Sequence, residues 1–235
     1  MTSGTNTAGA SPELRREAIQ ALVRFLIVVA VLIFLPAWSL RYWQGWLFWM
    51  VFSVLVLWIT LYFLRHDPHL IEGRMNAGPG AEQQRNQKII QAIAGTLAIA
   101  LIVGPALDYH FHGASVPTAI VLMANVLMVL GFVIVFLVFK ENSFAASTIK
   151  VDAEQRVISS GPYRLVRHPM YAGASIALIA TPLALGSWWG VPAGLALIAV
   201  IVARLLDEER YLSSSLPGYA DYCRKVKYRL IPSLW

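Results

Sequence analysis

Cysteine is nearly absent: Cys223 is the only one in 235 residues. No intrachain disulfide can form, and a cysteine-rich metal site is excluded. Charge is also scarce, at 14% against 57% hydrophobic residues. A soluble domain carries about 25% charged residues, so this chain cannot cover a water-facing surface of its size. No run of basic residues marks a nucleic-acid footprint, although the formal charge is +6. No small-residue cleavage site follows the first apolar run, which is therefore expected to be a retained span and not a signal peptide. No internal repeat is visible, so an inverted-repeat transporter gains no support.

Long apolar runs are what the chain has in excess. A helix needs about 20 apolar residues to cross the hydrocarbon core. Six stretches qualify or nearly do: Ala21 to Leu40, Gly45 to Leu64, Ile89 to Leu107, Val116 to Phe139, Met170 to Leu185 and Val191 to Leu206. The last two are short and are joined by Gly186-Ser187-Trp188-Trp189-Gly190, which reads as the turn of a hairpin at a membrane interface. With six spans, 18 of the 19 Lys and Arg residues fall on one side and Arg41 alone on the other. Basic residues stay cytoplasmic, so both termini are expected in the cytoplasm. The expected fold is an all-α, polytopic transmembrane helical bundle of about six spans. Its divisions are an N-terminal tail (1–20), four transmembrane helices (21–140), and a region (141–235) holding a cytoplasmic loop, a transmembrane hairpin (170–206) and a C-terminal tail.

Polar residues concentrate after Lys140, so chemistry is expected in the last third. A turn at Gly161-Pro162 leads through Tyr163 and Arg164 to Arg167 and His168, and Pro169 suits the first position of a helix. Helix starts present free N–H groups that favour an anion. Folding the hairpin at Trp188 brings Asp207-Glu208-Glu209-Arg210 to the depth of Arg167-His168-Pro169, with Arg204 one turn before Glu208. An anion-binding helix start and two or three carboxylates thus meet at the cytoplasmic membrane surface. A zwitterion carrying a further cation would fit there. Taken singly, such residues are ordinarily interface anchors; it is their pairing at one depth that suggests a site. The remaining candidates are weaker. His110-Phe111-His112 lacks a carboxylate-rich partner set for a metal, Cys223 reads as an ordinary thiol, and the tryptophans near residues 38–49 read as interface and packing aromatics.

The two C-terminal blocks resemble the isoprenylcysteine carboxyl methyltransferase-like membrane enzymes. The first is Gly161-Pro162-Tyr163-Arg164 with Arg167-His168-Pro169-Met170-Tyr171-x-Gly173. The second is Glu208-Glu209, Leu212, Gly218-Tyr219-x-x-Tyr222 and Val226-x-x-Arg229-x-x-Pro232. Phospholipid N-methyltransferases carry a related pattern, and the likeness spans about Glu141 to Trp235. The resemblance implies S-adenosylmethionine as methyl donor, in a pocket closed by the cytoplasmic C-terminal segment. It implies cofactor contacts from Tyr163, Arg167, His168, Pro169, Tyr171, Gly173, Glu208, Glu209, Tyr219 and Tyr222. Catalytic roles fall to Arg229, Glu208 and Arg204, with the arginines as positive partners for an acceptor. The expected acceptor is a lipophilic small molecule or lipidated substrate entering from the bilayer. Membrane lipids are the expected surroundings, in a bacterial inner membrane; no nucleic-acid partner is expected, and the oligomeric state is not legible. Membrane sterol and steroid reductases, which use NADPH, share an Arg-His-Pro run and a similar tail. Met170 in place of Asn and Ala174 in place of an acid depart from them, and Glu208-Glu209 favours methyl transfer. A non-enzymatic membrane subunit is the third reading.

Overall fold

Ser11 starts the first helix. Its hydroxyl accepts the Leu14 N–H at 3.2 Å, and Pro12 occupies the first turn, where a missing N–H costs nothing. The helix therefore begins well before the apolar run at Ala21. The computed structural model describes residues 10–75, 85–144 and 156–235. Its helices are α1 (Pro12–Ala37), α2 (Trp43–His66), α3 (Pro68–Met75), α4 (Arg85–His112), α5 (Thr118–Glu141), α6 (Pro169–Ala184), α7 (Val191–Ser215) and α8 (Tyr219–Lys225), with a 3-10 turn at Gly161–Arg164. No strand occurs among the described residues. The chain is a helical membrane bundle.

Helices α1, α2, α4 and α5 are long and apolar enough to cross a membrane. Their exposed surfaces carry Val23, Ile27, Val54, Leu57, Met123 and Val126, as a lipid-facing surface should. Helix α6 has 16 residues, about 24 Å at 1.5 Å per residue, against a hydrocarbon core of about 30 Å. Helix α7 has 25 residues, but Arg204, Asp207, Glu208, Glu209 and Arg210 occupy its second half. The last pair thus does not qualify as spans on length and composition.

Close packing fixes where α6 lies. Gly131 on α5 and Gly173 on α6 face each other: a Cβ at Gly131 would lie 2.6 Å from the Gly173 carbonyl oxygen, and one at Gly173 2.7 Å from that of Gly131. Only two glycines let the backbones approach so closely. At the far end, Gly186 adopts φ +79° and its carbonyl accepts the N–H groups of Ser115 and Val116 at 3.1 and 3.3 Å. Ser187 donates to Asp108 at 2.6 Å, and the buried Tyr42 hydroxyl donates to the Leu185 carbonyl. Helix α7 returns antiparallel beside α6, with Gly194 against Leu178. The expected hairpin forms, turned at residues 185–190.

Candidate active site

The Gly161–Arg164 turn, the start of α6, the polar end of α7 and the C-terminal segment meet at one end of the bundle. His168 is the residue immediately before α6, and Pro169 takes its first position. The last segment runs beside this start. The Arg167 N–H donates to the Tyr228 carbonyl at 2.8 Å, the His168 N–H to that of Arg229 at 2.9 Å, and an Arg167 guanidinium N–H to that of Lys227 at 3.1 Å. The N–H groups of the two residues before α6 are therefore spent on the tail.

Glu209 is the hub. One oxygen lies 2.9 Å from Arg167 Nη1 and 3.2 Å from His168 Nε2, and the other accepts from Arg229 Nε at 2.9 Å. Burial by itself would raise its pKa. Hydrogen bonds from His168 and Arg229, with the positive fields of His168 and Arg167, outweigh that and hold it at about 2. Glu209 is thus spoken for. Glu208, its neighbour, points elsewhere: it accepts from the Tyr171 hydroxyl at 2.7 Å. Arg204 Nε donates to the same hydroxyl at 3.1 Å, and its Nη1 donates to Gln87 on α4 at 3.0 Å. Gln87, fully buried, donates in turn to Asp207.

One polar pocket opens between these groups. Its walls include Tyr163, Arg167, His168, Pro169, Tyr171, Glu208, Tyr219 and Tyr222, eight of the expected cofactor residues. Leu216, Tyr219 and Tyr222 cluster at its mouth, and the Tyr222 hydroxyl donates to the Tyr163 carbonyl at 2.8 Å. Its volume is about 90 Å³. Burial raises the phenols of Tyr163 (to about 12), Tyr219 and Tyr222, so all stay protonated donors at neutral pH. Two buried polar atoms, Arg167 Nε and the Tyr219 hydroxyl, have no hydrogen-bond partner among the described residues. Orphaned buried donors beside a carboxylate and several phenols suit a polar ligand with both charges. Arg167, Tyr219 and Glu208 are the groups that could hold such a ligand.

Four expected residues stand apart from this pocket. Glu209 and Arg229 are bonded to each other behind it, and the Arg229 guanidinium lies 5.3 Å from the Trp235 ring centroid. Arg204 borders a neighbouring cavity of about 250 Å³ with Tyr171. Gly173 packs on α5 and borders a separate apolar cavity of about 690 Å³ between α1, α2, α3, α5 and α6. Sequence reasoning missed Arg156, Val157, Ile158 and Leu216 on the pocket wall, Gln87 in the hydrogen-bonded chain, and Arg74. Gln87 had no visible signal: it is one polar residue ahead of an apolar run, like many interface residues. The expected loop between Lys140 and Pro169 lies partly outside the described residues, at 145–155.

Residues 119–217 match the model of the phospholipid methyltransferase family. The chain is 30% identical over 106 residues to the cobalt-zinc-cadmium resistance protein CzcN of Cupriavidus metallidurans, covering 44% of this chain and 49% of that protein. It is 29% identical over 99 residues to the Delta(14)-sterol reductase TM7SF2 of Mus musculus, covering 37% of this chain and 22% of that protein. The chain thus spans about half the length of one of these curated relatives and about a fifth of the other.

Proposed function

We propose that the protein transfers a methyl group from S-adenosylmethionine to a lipophilic acceptor at the cytoplasmic face of the membrane, a reading supported by the match of residues 119–217 to the phospholipid methyltransferase family. The observation that carries the reading is the pocket shared by Arg167, His168, Tyr171, Glu208 and Tyr219, with its two orphaned buried donors. When bound, S-adenosylmethionine supplies a methyl group on a sulfonium, which leaves as the acceptor's lone pair forms the new bond. The protein has little covalent chemistry to perform. It must align the two reactants and exclude water.

Each part of the site has a task in that reading. Glu208, oriented by Tyr171 and through it by Arg204, offers a negative charge to the donor's cationic part. Arg167 and Tyr219 offer unspent donors to its carboxylate. Glu209 fixes Arg167 and His168 and ties Arg229 to them, so it organises the site from behind. Both termini lie in the cytoplasm, and the membrane is a bacterial inner membrane.

The test is a melting-temperature and equilibrium-binding comparison of S-adenosylmethionine with NADPH on the purified protein. A rise with S-adenosylmethionine alone is expected. The likeness to the sterol reductase favours the competing outcome, a rise with NADPH alone, which would replace methyl transfer with reduction.

A further inference from the structure

Gln87 stands on the first turn of α4 and is completely buried. A buried amide is costly unless its polar ends are bonded. Here both ends are. The side-chain oxygen accepts from Arg204 Nη1 at 3.0 Å, and the side-chain nitrogen donates to Asp207. An arginine can only donate and an ionised carboxylate can only accept, so these two partners fix which way the amide faces. Both lie on α7, and Gln87 thus ties the polar half of that helix to α4.

The same arginine carries the arrangement toward the pocket. Arg204 Nε donates to the Tyr171 hydroxyl at 3.1 Å, and that hydroxyl donates to Glu208 at 2.7 Å. A phenol has a single proton. With Arg204 donating to its oxygen, Tyr171 directs that proton at the Glu208 carboxylate. The bonds from Asp207 through Gln87, Arg204 and Tyr171 to Glu208 therefore have one consistent set of donors and acceptors, and bonds linked in this way orient one another. The last group borders the polar pocket; Gln87, the far anchor, is not among the residues on its wall. Gln87 also lies outside residues 119–217, the part of the chain that matches the methyltransferase family.

We infer that Gln87 is a positioning residue for the donor site: it anchors Arg204 to α4 and, through Arg204 and Tyr171, holds the Glu208 carboxylate where it meets the donor's cationic part. That the ligand is S-adenosylmethionine rests on the proposed function; the positioning rests on the hydrogen-bonded chain. Helix α4 is long and apolar enough to cross the membrane, so a spanning helix takes part in building a site whose motif residues all come from the last third of the chain. Without the amide, Arg204 is no longer tied to α4 through this bond, its guanidinium can turn from the Tyr171 hydroxyl, and that hydroxyl can turn from Glu208. A Gln87 that merely filled space would act on stability alone.

Gln87→Met keeps the length of the side chain and removes both hydrogen bonds; Gln87→Leu takes its place if that variant does not fold. Calorimetric titration of S-adenosylmethionine into the wild type, Gln87→Met, Tyr171→Phe and the double variant, at a temperature where all are folded by circular dichroism, forms a double-mutant cycle. Gln87→Met should weaken binding about fivefold in the wild-type background. In the Tyr171→Phe background it should weaken binding less than about twofold, because the link through the hydroxyl is already gone. Equal losses in the two backgrounds, or no loss in either, overturn the proposal. A second readout needs no ligand. With tyrosine isotope-labelled at Cζ, the Tyr171 resonance, identified by its disappearance in Tyr171→Phe, should shift in Gln87→Met, and an unmoved resonance also overturns the proposal. The two measurements separate the readings. A shifted resonance in a protein that does not bind S-adenosylmethionine supports the chain from Gln87 to Tyr171 and removes methyl transfer. Tight binding with an additive cycle keeps methyl transfer and removes Gln87 from the site.

Discussion

Glu209 is buried among Arg167, His168 and Arg229, and its carboxylate is what lets these three share one place. Removing one member of a buried ion cluster leaves the others uncompensated, at about 3–5 kcal/mol. Glu209→Gln is therefore expected to lower the melting temperature sharply and to loosen the 227–229 segment from the start of α6. The same group predicts a pH dependence. Its folded pKa of about 2 lies below the ordinary value of 4.5, so its contribution is complete above about pH 4.5 and is lost as pH falls through 2. Comparing acid unfolding of wild type and Glu209→Gln by circular dichroism should show that the difference between them shrinks across that window. A difference that stayed constant down to pH 2 would show that Glu209 is not ionised through the cluster. Glu208 belongs to a different category because it faces the pocket. Glu208→Gln should weaken S-adenosylmethionine binding on the order of tenfold to a hundredfold, from the loss of about 1.5–3 kcal/mol of charge-assisted contact. Arg229→Ala should leave that affinity within a few fold and lower stability instead, because Arg229 reaches the site through Glu209. Calorimetric titration of both variants checks the division, and the reverse ranking would place Arg229 at the ligand.

At the scale of elements, α5 and α6 behave as one unit, held at Gly131 and Gly173. A Cβ at Gly173 meets backbone at 2.7 Å, and backbone cannot step aside as a flexible side chain can. Gly173→Ala should thus cost about 1–3 kcal/mol of stability by overpacking, yet keep donor affinity near wild type at temperatures where it stays folded. A large loss of affinity with normal stability would instead put Gly173 on the cofactor. This glycine shows where reading the sequence stopped. The short distance from His168 to Gly173 made it a cofactor neighbour by resemblance, whereas helical geometry turns it onto α5. The pairing of Arg167-His168 with Glu208-Glu209 was legible, because an antiparallel hairpin puts equal rises at equal depth. Which of the two glutamates faces the pocket was not legible. Adjacent helical residues point about 100° apart, and only the packed rotation of α7 assigns Glu209 to the cations and Glu208 to Tyr171. Arg74 was hidden for a similar reason: it looked like one of many loop cations on the cytoplasmic side, and only tertiary packing brings α3 beneath Phe139 and Met170.

For the whole molecule, α6 and α7 set the number of membrane crossings. By length and composition only α1, α2, α4 and α5 qualify among the described helices. Helix α6, about 24 Å long, falls short of the hydrocarbon thickness. Its partners argue the other way. The turn after α6 is bonded to the loop between α4 and α5, through Gly186 to Ser115 and Val116 and through Ser187 to Asp108. That loop joins two helices that do qualify as spans, so the turn lies at the same membrane face as the loop. Trp189 and Trp38 are each 78% exposed, and tryptophans favour the headgroup level. In the proposed topology, residues 185–190 complete the crossing that α6 begins and local thinning of the bilayer takes up the remainder, giving six crossings with both termini cytoplasmic and 18 of 19 Lys and Arg residues on that side. In a Cys223→Ser background, single cysteines at Ala114, Trp189 and Ser214 test this with a membrane-impermeant maleimide on intact cells. Positions 114 and 189 should label without permeabilisation, and position 214 only after it. Labelling at 114 without 189 would leave the hairpin embedded from the cytoplasmic side and reduce the crossings to four. Labelling at 214 in intact cells would invert the orientation and place the donor pocket on the outer face, away from any cytoplasmic supply of S-adenosylmethionine.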